Sequence, residues 1–132
     1  MTFAKAYGFT LVVFLAVDLL WLGVVMRGFY AAQLGPLLRD SPMIAPAAVF
    51  YLAYVAGIVW FAVLPALASG DWKTAALNGA ILGLLAYGTY DMTNLSTLKD
   101  WPVPVSFVDM IWGGVVTGVS ATAGFYATRA VS

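Results

Sequence analysis

The chain has 132 residues, 63% of them hydrophobic and only 9% charged, and its six Lys and Arg balance six Asp to a net charge of zero. A soluble domain carries about 25% charged residues, so water is not the main solvent of this one. Cys, His and Glu are absent, which excludes disulfides, zinc and iron–sulfur centres, His-ligated haem and any catalytic triad; with no basic stretch interleaved with aromatics, nucleic acid is excluded as a partner too.

A bilayer core about 30 Å thick is crossed by ~20 apolar residues in a helix rising ~1.5 Å each. Four runs have that length: Tyr7 to Met26, Met43 to Ala68, Thr74 to Leu98 and Val103 to Thr128. Backbone groups in hydrocarbon must bond within their own segment, so each run is expected to be helical. The first resembles a secretory signal in having Lys5 before an apolar stretch, but Asp18 interrupts it, and it reads as a retained helix ending at Arg27 and Gly28. Residues 27–42 form the long connection. There Tyr30, Leu34, Leu37 and Leu38 recur near helical spacing before Pro42, which fits a short helix lying in the interface; the alternative is a plain loop, because Gly35 and Pro36 interrupt the pattern.

The connections at 69–73 and 99–104 are short, which makes the second, third and fourth helices antiparallel neighbours. Trp72 and Trp101 fall where amphipathic rings mark membrane–water boundaries. Pro65 is expected to taper or kink the second helix. The expected fold is therefore all-α: a single integral membrane domain of four transmembrane helices in an antiparallel bundle, with an interfacial helix between the first two. Orientation follows Lys and Arg, and the count is even: Lys5, Lys73 and Arg129 on one face, Arg27, Arg39 and Lys99 on the other. Either one orientation is fixed by the N-terminal amine and weak position effects, or the chain inserts both ways round; a single orientation with a cytoplasmic N-terminus is preferred here.

Helices in lipid associate where small residues allow close approach. Ala75, Gly79 and Gly83 line a stripe of the third helix; Gly114, Gly118 and Thr122 line one of the fourth, with Gly113, Thr117 and Ala121 beside it. These stripes serve packing within one bundle or, alternatively, a homo-oligomer interface.

Asp18, Asp91 and Asp109 lie inside the apolar runs. A charged side chain near the bilayer centre costs from ~3 kcal/mol upwards. Counted from the helix ends, Asp91 and Asp109 fall at one depth, Asn94 lies with them, and Asp18 sits about a turn below. Tyr87, Tyr90, Asp91 and Asn94 are spaced by three and four and share a helix face; Asp18 pairs likewise with Trp21, and Asp109 with Trp112. Phenol, indole N–H and carboxamide are donors that a buried carboxylate can use. The expected site is thus a pocket of Asp18, Asp91, Asn94 and Asp109 walled by Trp21, Tyr87, Tyr90 and Trp112. No Lys or Arg lies within the membrane to neutralise the acids, so a proton is expected to be shared or held among them. A hard cation such as Mg²⁺ could take its place, no organic cofactor is expected, and the bland alternative is hydrogen-bonded helix glue. Asp18-Leu-Leu-Trp21-Leu-Gly23-Val-Val also echoes Asp109-Met-Ile-Trp112-Gly-Gly114-Val-Val, either an inverted duplication of the kind transporters carry or coincidence between two apolar helices.

The stretch Tyr90-Asp91-Met-Thr-Asn94-Leu, the Lys99-Asp100-Trp101-Pro102 that follows, Asp109-Met-Ile-Trp112-Gly113 and the early Asp18-Leu-Leu-Trp21-Leu resemble a family of small bacterial membrane proteins catalogued as domain-of-unknown-function family 2177. The resemblance covers nearly the whole chain. It implies a multi-pass protein of the bacterial inner membrane with these residues as its signature, and implies no activity. Three readings of function follow: transport or permeation through the carboxylate site, with a dimer or larger assembly because four helices make a thin unit; an enzyme acting on a lipid or isoprenoid, which no nucleophile motif supports and for which no catalytic residue is assigned; or a lipid- or pigment-binding assembly subunit. The first is preferred.

Overall fold

The computed structural model describes residues 2–39 and 43–132. The first apolar run is helix α1 (Thr2–Leu20), which continues into a wider π-helical turn, Trp21–Val25, closed by the Met26 N–H on the Trp21 carbonyl at 2.8 Å. The helix begins before Tyr7 because helicity outlasts the strictly apolar stretch. At Met26 the backbone leaves helical geometry (φ −115°, ψ 14°) and the chain turns into α2 (Arg27–Leu34), followed by a short 3-10 turn at Gly35–Leu37. The helix anticipated in the connection is therefore present, and Gly35 and Pro36 end it. The remainder of that reading, Asp40 to Pro42, lies outside the described residues.

Helix α3 (Ile44–Ile58) runs through a second π-helical turn, Val59–Val63, into α4 (Leu64–Ser69). Proline explains the irregularity. Pro65 has no N–H for the carbonyl of Phe61 and its ring crowds that carbonyl, so the helix widens ahead of it, and the Leu64 N–H reaches back to Val59. The freed Phe61 carbonyl is met from outside the helix by Asn78 Nδ2 at 3.0 Å.

Gly70, at φ 73°, ends α4 in the left-handed region that suits glycine. Asp71 then caps α5 (Trp72–Thr97), its carboxylate accepting the Lys73 N–H at 3.0 Å. A five-residue link with Asp100 at φ 63° leads to α6 (Val103–Ala130), whose first turn holds Pro104.

Three of these stretches are long and apolar enough to cross a membrane: Thr2–Val25, Ile44–Ser69 and Val103–Ala130. Helix α5 matches them in length, at 26 residues. Its apolarity is diluted by Lys73, Asn78, Asp91, Asn94 and a set of threonines.

Helices α5 and α6 form the tightest pair, in opposite directions. A Cβ on Gly79 would lie 2.9 Å from the Thr117 carbonyl oxygen, one on Gly83 would fall on the backbone of Gly113, and Gly88 faces Met110. Gly113 in turn accepts the Tyr87 ring where no Cβ fits. Ala75, Gly79 and Gly83 are fully inside this contact, opposite Gly113, Thr117 and Ala121 rather than Gly114; Gly114 and Gly118 lie towards the Ala76 and Ala80 backbone. Helix α1 packs against α6 with Thr10 on Gly124. Phe14 meets Tyr51 and Tyr54 of α3 edge to face at 5.6 Å.

Candidate intramembrane carboxylate site

A cavity of about 660 Å³ opens between α1, α3, α5 and α6, beneath α2 and its 3-10 turn. Asp18, Asp91 and Asp109 all line it, together with Tyr87, Tyr90 and Trp112. The three acids differ sharply in what they meet. Asp18 is 2% exposed and accepts two bonds, from Trp112 Nε1 to Oδ1 at 3.0 Å and from the Tyr51 hydroxyl to Oδ2 at 2.9 Å. Asp109 is half-buried and accepts one, from the Tyr30 hydroxyl at 3.1 Å. Asp91 is 0% exposed, and neither of its oxygens has a hydrogen-bond partner among the described residues.

The neighbour of Asp91 with matching chemistry is Asp109. Two carboxylates are both acceptors, so a proton or a cation between them is what joins such a pair. A buried polar group left without any partner costs about 1–3 kcal/mol, more for a charged one. Asp18 stands about a helical turn deeper, at the level of Trp112. Among the described residues no group of three or more His, Cys, Asp or Glu gathers closely enough to hold a metal ion.

Aromatic side chains fix this arrangement. Trp21 and Trp112 stack face to face, with centroids 4.1 Å apart and planes 3° from parallel. Their indole N–H groups point to opposite ends of the site. Trp112 donates to Asp18, whereas Trp21 donates to the Tyr30 hydroxyl at 3.2 Å, which passes the polarity on to Asp109. Each half of the Asp-x-x-Trp echo thus serves the acid of the other half, Trp21 through Tyr30. Burial, above all, and the charges of the nearby acids push the Tyr30 phenol well above its usual range, so it stays a donor. At the outer end, Trp101 folds back over the α5–α6 link, its Nε1 donating to Ser106 Oγ at 3.0 Å, and Ser106 donates to the Asp91 carbonyl at 3.1 Å.

Two residues anticipated in the pocket lie elsewhere. Asn94 is off the cavity: three residues past Asp91 it is rotated by roughly 60° from it, and it neighbours Tyr90 instead. Trp21 backs the wall as the stacking partner of Trp112 rather than facing the space. Conversely, Tyr30, Tyr51 and Trp101 line the cavity, although the sequence reading assigned none of them to it. Tyr51 could have been found by counting depth along its helix, which places it level with Asp18. No spacing signal marks Tyr30, whose inward reach depends on how α2 folds back.

No curated protein and no solved structure matches the chain. The family model described as predicted membrane protein (DUF2177) matches residues 3–126. Asp18, Asp91, Trp101, Asp109 and Trp112, which line the cavity just described, fall within that match, and the chain belongs to this family of membrane proteins.

Proposed function

We propose that the protein is a small transport or permeation protein in which Asp91 and Asp109 share a proton that a cationic solute exchanges for its own charge. The observation that carries this reading is the pairing of an acid without a donor, Asp91, with a second acid on the wall of a cavity large enough for a small organic molecule. Structural acids in membranes are satisfied by donors, as Asp18 is here; one that meets only another acceptor fits a site that binds and releases a proton or a cation. Aromatic walls at Tyr87, Tyr90 and Trp112 supply faces for cation–π contact.

On this reading α5 is a fourth spanning helix, since its 26 residues reach about 39 Å, its buried acid Asp91 lines the cavity, and the hydroxyls of Thr89, Ser96 and Thr97 bond back to their own helix. The four spans then alternate in direction, in a bacterial inner membrane with the N-terminus in the cytoplasm. A unit this thin works as a homo-oligomer. The test is flux in proteoliposomes under a pH step, with proton movement followed by an internal dye and tetraphenylphosphonium as the organic cation. Wild-type protein moves one or both, and Asp91→Asn abolishes the movement. Absence of flux for both probes, or full flux through Asp91→Asn, overturns the proposal.

A further inference from the structure

The interface of α1 with α6 is built from two stripes of residues four apart. On α1 they are Ala6, Thr10, Phe14 and Asp18, all buried. On α6 they are Trp112, Val116, Ser120, Gly124 and Thr128, the last four also buried. Two contacts fix the register: Trp112 bonds to Asp18, and Gly124 abuts Thr10. From Asp18 towards the Thr2 and Ala130 ends, the seam therefore presents Val116, then Phe14 with Ser120, then Thr10 with Gly124, then Thr128.

The hydroxyls of Thr10, Ser120 and Thr128 are buried and meet no hydrogen-bond partner among the described residues. Membrane hydroxyls ordinarily fold back on the carbonyl four residues earlier, and Thr89, Ser96, Thr97 and Thr122 of this chain do so at 2.7–2.8 Å. Three exceptions on one seam, converging from two helices, call for a common explanation. Buried polar groups without protein partners are the groups that internal water serves, each water making about three bonds.

We infer that the α1–α6 seam binds a short file of water molecules at Thr10, Ser120 and Thr128, and that this file is a proton path from the Thr2–Ala130 face of the membrane towards Asp18. The inference rests on the proton-binding reading of the cavity and adds the second access that such a site requires, because the cavity itself lies at the α2 end. Each water or hydroxyl along the file accepts one proton and releases another, so nothing is consumed, and the proton delivered enters the cavity that Asp18, Asp91 and Asp109 line together. Val116 lies between the Ser120 level and Asp18 with the Phe14 ring beside Ser120, and these two apolar side chains close the file.

Thr10→Val, Ser120→Ala and Thr128→Val remove the hydroxyls with little change of shape, and Phe14→Leu thins the closure. In voltage-clamped phosphatidylcholine vesicles, the triple hydroxyl variant is expected to carry protons at least tenfold more slowly than wild type, and Phe14→Leu faster. Radiolytic footprinting gives a readout independent of flux: hydroxyl radicals generated from bound water oxidise Phe14 in the wild type and not in the triple variant. Wild-type flux through the triple variant while Asp91→Asn is silent overturns the seam and leaves the cavity reading standing. Equal oxidation of Phe14 in both proteins also overturns the seam. Oxidation of Phe14 that depends on the hydroxyls, together with full flux through Asp91→Asn, supports the seam and removes the carboxylate pair.

Discussion

Tyr51→Phe removes one oxygen atom and nothing else, and its cost measures what Asp18 is. Tyr51 supplies one of the two bonds that Asp18 accepts, at 2.9 Å, and the acceptor is 2% exposed, so no bulk water replaces the lost donor. A hydrogen bond between neutral groups of membrane helices is worth about 0.6 kcal/mol, whereas one that ends on a charged group contributes about 1.5–3 kcal/mol. The arrangement around Asp18 is that of an acceptor-only group: the Trp112 indole can only donate, and each carboxylate oxygen has its own donor. The expected loss for Tyr51→Phe is accordingly about 2 kcal/mol, read by equilibrium unfolding in mixed detergent–denaturant micelles. In an Asp18→Asn background the bond joins neutral groups, and the loss should shrink to below ~1 kcal/mol. A loss near 0.6 kcal/mol or less in the wild-type background, unchanged by Asp18→Asn, would refute the reasoning.

The α5–α6 contact predicts a graded glycine series. Gly83→Ala, whose Cβ falls on the Gly113 backbone, should destabilise by about 3 kcal/mol, while Gly57→Ala, with open space around it, should be close to neutral or slightly stabilising; thermal unfolding in one detergent ranks them. Asn78→Leu should cost about 1 kcal/mol by orphaning the Phe61 carbonyl, and that cost should largely vanish in a Pro65→Ala background, where the helix can supply its own N–H; equal costs in both backgrounds would contradict the repair role. Tyr30→Phe should free Asp109 of the one protein donor that it has among the described residues, and is expected to weaken the cover of α2 over the cavity, seen as faster amide exchange across Arg27–Leu34. Because the Tyr30 phenol is pushed up, this bond is complete below the ordinary phenol range near pH ~10 and is lost only at higher alkalinity.

Apolar length and misplaced charge were the features readable from sequence, because both are settled by the solvent rather than by tertiary detail. A run of ~20 apolar residues must be helical in lipid wherever its neighbours lie, and Asp91 had to be explained whatever packed against it. Helix direction alone then brought Asp91 and Asp109 to one depth, and both line the cavity. Residues whose placement depends on a neighbouring element were not legible. Trp21 keeps the helix face it shares with Asp18, but its ring is taken up by Trp112, and spacing along one helix does not say which neighbour a ring meets. Tyr30 enters the site from a connection whose path no periodicity defines. Asn94 shares a face with Tyr87 and Tyr90 by spacing, yet the cavity ends before it, where Trp101 crosses the link. Within the small-residue stripes, spacing identified the face of α5 but not which of two adjoining stripes on α6 it meets; the Tyr87 ring seated on Gly113 decides that.

The account turns on one proton shared by Asp91 and Asp109. Infrared spectroscopy of the protein in lipid at neutral pH sees such a proton directly, through the C=O stretch of a protonated carboxyl group, which an ionised carboxylate lacks. The wild-type protein is predicted to show this band, shifted in heavy water and removed by Asp91→Asn. A wild-type spectrum without the band, or a band that persists undiminished in Asp91→Asn, would contradict the shared proton and with it the carboxylate site.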